Sequence, residues 1–126
     1  MSNILFWHNS EVLHVTPPDE ASQVARITLS AAAVKRAGMP GFLKPVELVL
    51  VQARLTGPVS SCMGSISEGS CRVGSGMSRQ LALPWVSDGA VQLTLQFHNG
   101  STLLIEAASA HCVPGPDTRF VESYAC

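Results

Sequence analysis

The side chains able to move protons, attack as nucleophiles or hold a metal are four histidines (His8, His14, His98, His111), four cysteines (Cys62, Cys71, Cys112, Cys126) and nine carboxylates. Their spacing organises none of these chemistries. A cysteine zinc site needs a close pair of the C-x-x-C kind, whereas the nearest two thiols, Cys62 and Cys71, are nine positions apart. His111 and Cys112 are adjacent, and neighbours on a strand point to opposite faces. A phosphate-binding loop needs a Lys and a hydroxyl residue after its glycines; Gly64 to Gly69 has the glycine spacing, but Ser70 and Cys71 stand where those two belong. Gly74-Ser75-Gly76 lacks the third glycine of a dinucleotide fingerprint, and no Gly-x-Ser-x-Gly elbow occurs. No residue is therefore assigned as catalytic, as a metal ligand or to a cofactor. The reading leans away from an enzyme.

Two segments carry residues suited to binding. Gly38-Met39-Pro40-Gly41-Phe42-Leu43 reads as a loop between two strands, and its large apolar side chains either plug the end of a core or contact a partner. The tail Arg119 to Tyr124 puts Phe120, Glu122 and Tyr124 on one parity, so as an edge strand it could offer two aromatic anchors. Met39, Phe42, Phe120 and Tyr124 are the candidate partner-binding residues. The eight basic residues are scattered along the chain and the formal net charge is -1. That argues against a nucleic-acid partner.

The elements that must position these residues are strands. Val91, Leu93, Leu95 and Phe97 alternate with Gln92, Thr94, Gln96 and His98, the period of a half-buried strand. Leu103, Ile105 and Ala107 alternate likewise after Asn99-Gly100, with Leu104 as the exception, so strands near 90 to 97 and 101 to 108 form a hairpin. A two-residue loop would oppose Leu93 to Glu106 and mix the faces. A three-residue loop, His98-Asn99-Gly100, pairs Leu95 with Leu103, Leu93 with Ile105 and Val91 with Ala107, and requires Gly100 in the left-handed conformation of a G1 bulge.

Ala25, Ile27, Leu29 and Ala31 mark a further strand over Val24 to Ala33, whose Ala-rich end could instead begin a helix through Val34-Lys35-Arg36. Val46 to Leu55 is apolar on both parities, which fits a strand buried on both sides or bulged near Leu50. Glu11 to Thr16 and Gln80 to Val86 are shorter strands stopped by Pro17-Pro18 and Asp88-Gly89. Gly57 to Gly76 holds five of the ten glycines and reads as a mobile loop or a pair of small-residue strands.

The 126 residues suit one domain, 1–126. With 46% apolar and 13% charged residues the chain can bury a large core under a weakly charged, Ser/Thr/Gln-rich surface. The pattern specifies an all-β, antiparallel sandwich or partly open barrel with at most one short helix. The apolar run Ile4 to Trp7 is broken at once by His8-Asn9-Ser10-Glu11, and no stretch is long enough to span a bilayer. The expected setting is cytoplasmic, off the membrane, with reduced thiols.

Phe6-Trp7-His8-Asn9-Ser10-Glu11-Val12 resembles the F/W-H-D-S-x-I/V start of small bacterial all-β proteins of the immunity type, with Asn9 where Asp is commoner. The hairpin Leu95 to Leu103, turning on Asn99-Gly100, resembles a second feature of that class. The resemblance implies a cytosolic inhibitor that neutralises a cognate toxin by covering its active site, and it carries over no catalytic residue. The leading expectation is thus a protein-binding domain. Two alternatives stay open: a small-molecule-binding barrel or enzyme with an internal site, and a homo-oligomeric structural subunit, for which a homodimer is the simplest form.

Overall fold

A computed structural model describes residues 3–122 of the chain. The fold is all-β and antiparallel. Its backbone is a ribbon of two long strands, β1 (Asn3–Thr16) and β2 (Val24–Arg36), paired along their length. The run expected to start at Glu11 begins at Asn3, and the alternative of a helix at Val34-Lys35-Arg36 is not adopted. β2 instead changes phase: Ala25, Ile27 and Leu29 are buried, then Ala32 and Val34, so Ala31 drops out of the buried row. β1 changes phase opposite it. Phe6 pairs with Ala33 and Glu11 with Ala31, so the intervening residues of β1 form a wide bulge.

The bulge has a local cause. Asn9 takes φ 72°, a left-handed conformation that Asn tolerates better than most residues. Ser10 turns its hydroxyl inward, fully buried, where it donates to the Phe6 carbonyl at 2.7 Å and accepts from the Ala33 amide at 2.9 Å. One side chain thereby replaces ladder bonds that the bulge interrupts. Asn9 and Ser10 belong to the motif that carries the immunity-type resemblance, and their role here is architectural.

On either side of the bulge the ribbon has different neighbours. The second half of the ribbon pairs β2 with β4 (Val46–Val51), followed by β12 (Ser109–Cys112) and β9 (Trp85–Ser87). There Glu11 and Val12 of β1 also meet β6 (Gly64–Val73), which continues through β10 (Val91–Phe97) and β11 (Thr102–Ala107) to β5 (Arg54–Thr56), with β7 (Gly76–Ser78) on the opposite side of β6. The first half pairs β1 with β8 (Gln80–Leu83) and β2 with β3 (Met39–Lys44), and β3 in turn with β13 (Arg119–Glu122). Inward residues from these branches, among them Trp7, Ile27, Leu50, Leu95 and Leu103, meet in one core cluster.

The hairpin follows the expected register: Val91 opposes Ala107, Leu93 opposes Ile105 and Leu95 opposes Leu103. The Phe97 amide donates to the Ser101 carbonyl at 2.9 Å, closing a loop over His98, Asn99 and Gly100, with Gly100 at φ 90°. One segment differs from expectation and another adopts one of its two alternatives. Val46 to Leu55 is two strands, because Gln52 at φ 51° turns the chain from β4 into β5. The Gly/Ser stretch is strand over β6 and β7, and Gly69 has a packing reason: a Cβ there would lie 2.5 Å from Trp7 Cβ.

Candidate functional site

The chemistry-bearing residues do not converge. Among the described residues no three His, Cys, Asp or Glu side chains group as a metal site. His98 is exposed at the hairpin tip, His14 and His111 are exposed on different strands, and His8 Nδ1 lies 2.8 Å from the Ser67 carbonyl. Cys62, Cys71 and Cys112 are free and buried. Burial pushes the Cys71 thiol up to about 11 and that of Cys112 to about 12, and raises Cys62 as well. Such thiols stay protonated near neutrality and are poor nucleophiles. A surface cleft of about 510 Å³ lies over the outer side of β5, β11, β10 and β6, between Arg54, Arg72, Gln92 and Glu106. Trp7 Nε1 is buried without a hydrogen-bond partner among the described residues.

A different grouping emerges on the first half of the ribbon. The segment expected as a loop is β3, so Met39 and Phe42 sit on a strand that pairs with the edge strand carrying Phe120. Edge placement of the tail agrees with expectation, whereas Tyr124 lies outside the described residues. The loop signals have packing causes: a Cβ on Gly41 would lie 2.6 Å from the Phe120 ring and 2.6 Å from the Val121 carbonyl oxygen, so glycine is what admits Phe120.

Register then sorts the candidates by face, since directly opposed residues of paired strands project to the same side. Gln80, Phe6, Ala33, Phe42 and Val121 form one row across β8, β1, β2, β3 and β13. Ala82, Ile4, Lys35 and Pro40 form the next, and Lys44 opposes Arg119 beyond the first. Leu5, Val34 and Leu43, on the other parity, are buried, so these rows face outward. Val121 is 45% and Ile4 37% exposed, while Phe6, Ala33 and Phe42 are half-buried. The Lys35 ammonium stands 5.7 Å from the Phe6 ring centre and that of Lys44 5.8 Å from Phe42, within cation–π range.

Phe42 and Phe120 therefore point to opposite sides. Phe120 packs against the core, with the Arg36 guanidinium 4.3 Å from its ring centre and Arg36 Nε donating to Asn3 Oδ1 at 3.0 Å. Met39, opposite Arg36, is 48% exposed at the rim of that inner side. The outward row adds Phe6, Ile4 and Val121, which were not singled out from sequence. The signal for the first two was present: Asn3, Leu5 and Trp7 alternate with Ile4, Phe6 and His8. For Val121 it was the parity opposite to Phe120.

No family model, curated protein or solved structure matches this chain. Among the described residues no helix is long and apolar enough to cross a membrane.

Proposed function

We propose that this protein is a non-catalytic binding domain that engages another protein through the outward face of β8, β1, β2, β3 and β13, most concretely as an immunity-type inhibitor of a bacterial toxin. The observation that carries the reading is the continuous outward row of Phe6, Ala33, Phe42 and Val121, bordered by Ile4, with Val121 and Ile4 exposed among the described residues. A contiguous apolar patch with half-exposed aromatic rings marks interaction surfaces more than ordinary solvent-facing sheet. The interior favours this over an internal ligand site, because the space a ligand would occupy is filled by Trp7, Leu5, Ile27, Leu95 and Leu103. Catalysis gains no support from the dispersed histidines or the protonated, buried thiols.

The test is to express the protein encoded beside this gene, alone and together with this chain. Growth arrest by the neighbour, relief by this chain, and a stoichiometric complex on size exclusion are the expected results. A neighbour that is harmless, or that forms no complex, removes the inhibitor reading.

A further inference from the structure

We infer that the partner presents an acidic surface to this face, with carboxylates ringing an apolar centre. This rests on the reading that the outward face binds a protein, and it names that protein's chemistry.

The chain as a whole is nearly neutral, but its charges are not evenly placed. Lys35, Arg36, Lys44 and Arg119, four of the eight basic residues, come together on the adjacent strands β2, β3 and β13 from positions up to 84 apart in sequence. Three of them, Lys35, Lys44 and Arg119, lie on the outward side beside the two rings. Every charged position in the rows described above is basic. Glu122 shares its row with Gly41 on the opposite parity, and Glu11, past the bulge, has its carboxylate 2.7 Å from the Ser30 hydroxyl. By contrast Arg26 is neutralised by Glu47 at 2.7 Å on the other half of the ribbon. The outward face therefore has an apolar middle and a rim that is basic along β2, β3 and β13, while Glu68 lies with Arg79 at the Phe6 end and Glu11 past the bulge.

Such a rim repels basic partners and favours acidic ones, acting mainly on association rate and specificity. A protein surface fits better than nucleic acid. Stacking of bases needs open ring faces, and here an ammonium group stands within cation–π range of each outward ring. Apart from Gln80, the remaining contact area is aliphatic (Ile4, Ala33, Pro40, Val121), suited to apolar side chains.

The experiment uses the full chain and the purified neighbour-encoded protein. Binding is measured for wild type, the triple reversal Lys35→Glu/Lys44→Glu/Arg119→Glu, the charge-preserving Lys35→Arg/Lys44→Arg, Phe42→Ala, and Arg72→Glu on β6 as a distant control, at about 0.05 and 0.5 M salt, where screening shortens from roughly 14 to 4 Å. The expected result is a loss of roughly 10- to 100-fold for the triple reversal at low salt, carried mostly by the association rate and shrinking at high salt. The charge-preserving pair and Arg72→Glu should bind as wild type. Thermal melting confirms that each variant is folded. If Phe42→Ala weakens binding while the triple reversal changes it less than about threefold, the acidic-partner inference is wrong and the face reading stands. If neither changes binding, both are wrong. Preference for a single-stranded oligonucleotide, or self-association abolished by Phe42→Ala, overturns the inference in favour of a nucleic acid or a second copy of this chain.

Discussion

Ser10→Ala removes a single oxygen and should be among the costlier small changes available in this protein. The hydroxyl is fully buried and serves two backbone groups across the bulge, the Phe6 carbonyl at 2.7 Å and the Ala33 amide at 2.9 Å. Alanine fits the space but leaves both groups short of a partner. A buried polar group without a hydrogen bond costs about 1–3 kcal/mol. Two such groups, offset by no longer burying a hydroxyl, give a net loss of about 2–4 kcal/mol. Against a typical total of about 5–15 kcal/mol the variant stays folded but is much weakened. For a chain of this size each kcal/mol moves Tm by roughly 3–6 °C, so a fall of at least about 6 °C is expected. Urea unfolding followed by tryptophan fluorescence measures it, with Ser67→Ala as a control, because that exposed hydroxyl serves a single carbonyl, of Gln96. The Ala33 amide should also lose hydrogen-exchange protection. A loss under about 1 kcal/mol, or unchanged protection at Ala33, would mean that Ser10 does not hold the bulge.

Gly69→Ala should cost about 2 kcal/mol or more by forcing a methyl to within 2.5 Å of Trp7 Cβ, whereas Gly89→Ala, with open space around it, should cost less than about 0.5; equal effects on Tm would refute the packing account. Phe42→Ala should lower partner affinity by roughly 30-fold, equivalent to about 2 kcal/mol, while moving Tm by only a few degrees; the reverse outcome would make Phe42 a structural plug. Because the folded-state pKa values of Cys71 and Cys112 are raised, the stabilisation of their neutral thiols is fully present below about pH 9. It is lost as pH climbs toward about 11 and about 12, so unfolding free energy should fall with pH above about 9. Cys112→Ala should flatten that alkaline slope in pH-dependent urea titrations. In the native protein a thiol reagent should reach Cys62, Cys71 and Cys112 slowly, and rapidly in urea.

What could be seen in the sequence divides by distance along the chain. The β10–β11 hairpin was fully legible, because period-two alternation and an Asn-Gly turn are local and one register alone keeps Leu93 and Leu95 inside. The candidate surface was only half legible. Phe42 stands out by its size, and the outward parity of Phe6 and Val121 is local, but that they share a row with Phe42 comes from pairings between residues tens of positions apart, which no local pattern reports. Gly38, Pro40 and Gly41 look like loop residues, yet Gly38 alone has the turn geometry, at φ 82°, while Gly41 is there to admit Phe120. The basic residues look dispersed for the same reason: strand pairing, not sequence, brings Lys44 beside Arg119. In β1 the Asn9-Ser10 pair reads as an interruption of an apolar run, whereas it is the device that lets one strand serve two sets of neighbours.

The outward face takes its strands from residues 3–6, 33–36, 39–44, 80–83 and 119–122. During synthesis the first of these must therefore wait, unpaired on one side, until β8 has been made, and the face is not complete until β13 docks on β3. A surface assembled from such remote pieces pays large loop-closure entropy before any of its pairings reward it, which places folding on the slow side, roughly milliseconds to seconds. Until then the Ile4 to Trp7 run is an exposed apolar strand edge, the kind of segment that invites wrong pairing. On the proposed reading, the capacity to bind therefore comes last in folding, with the docking of β13 on β3.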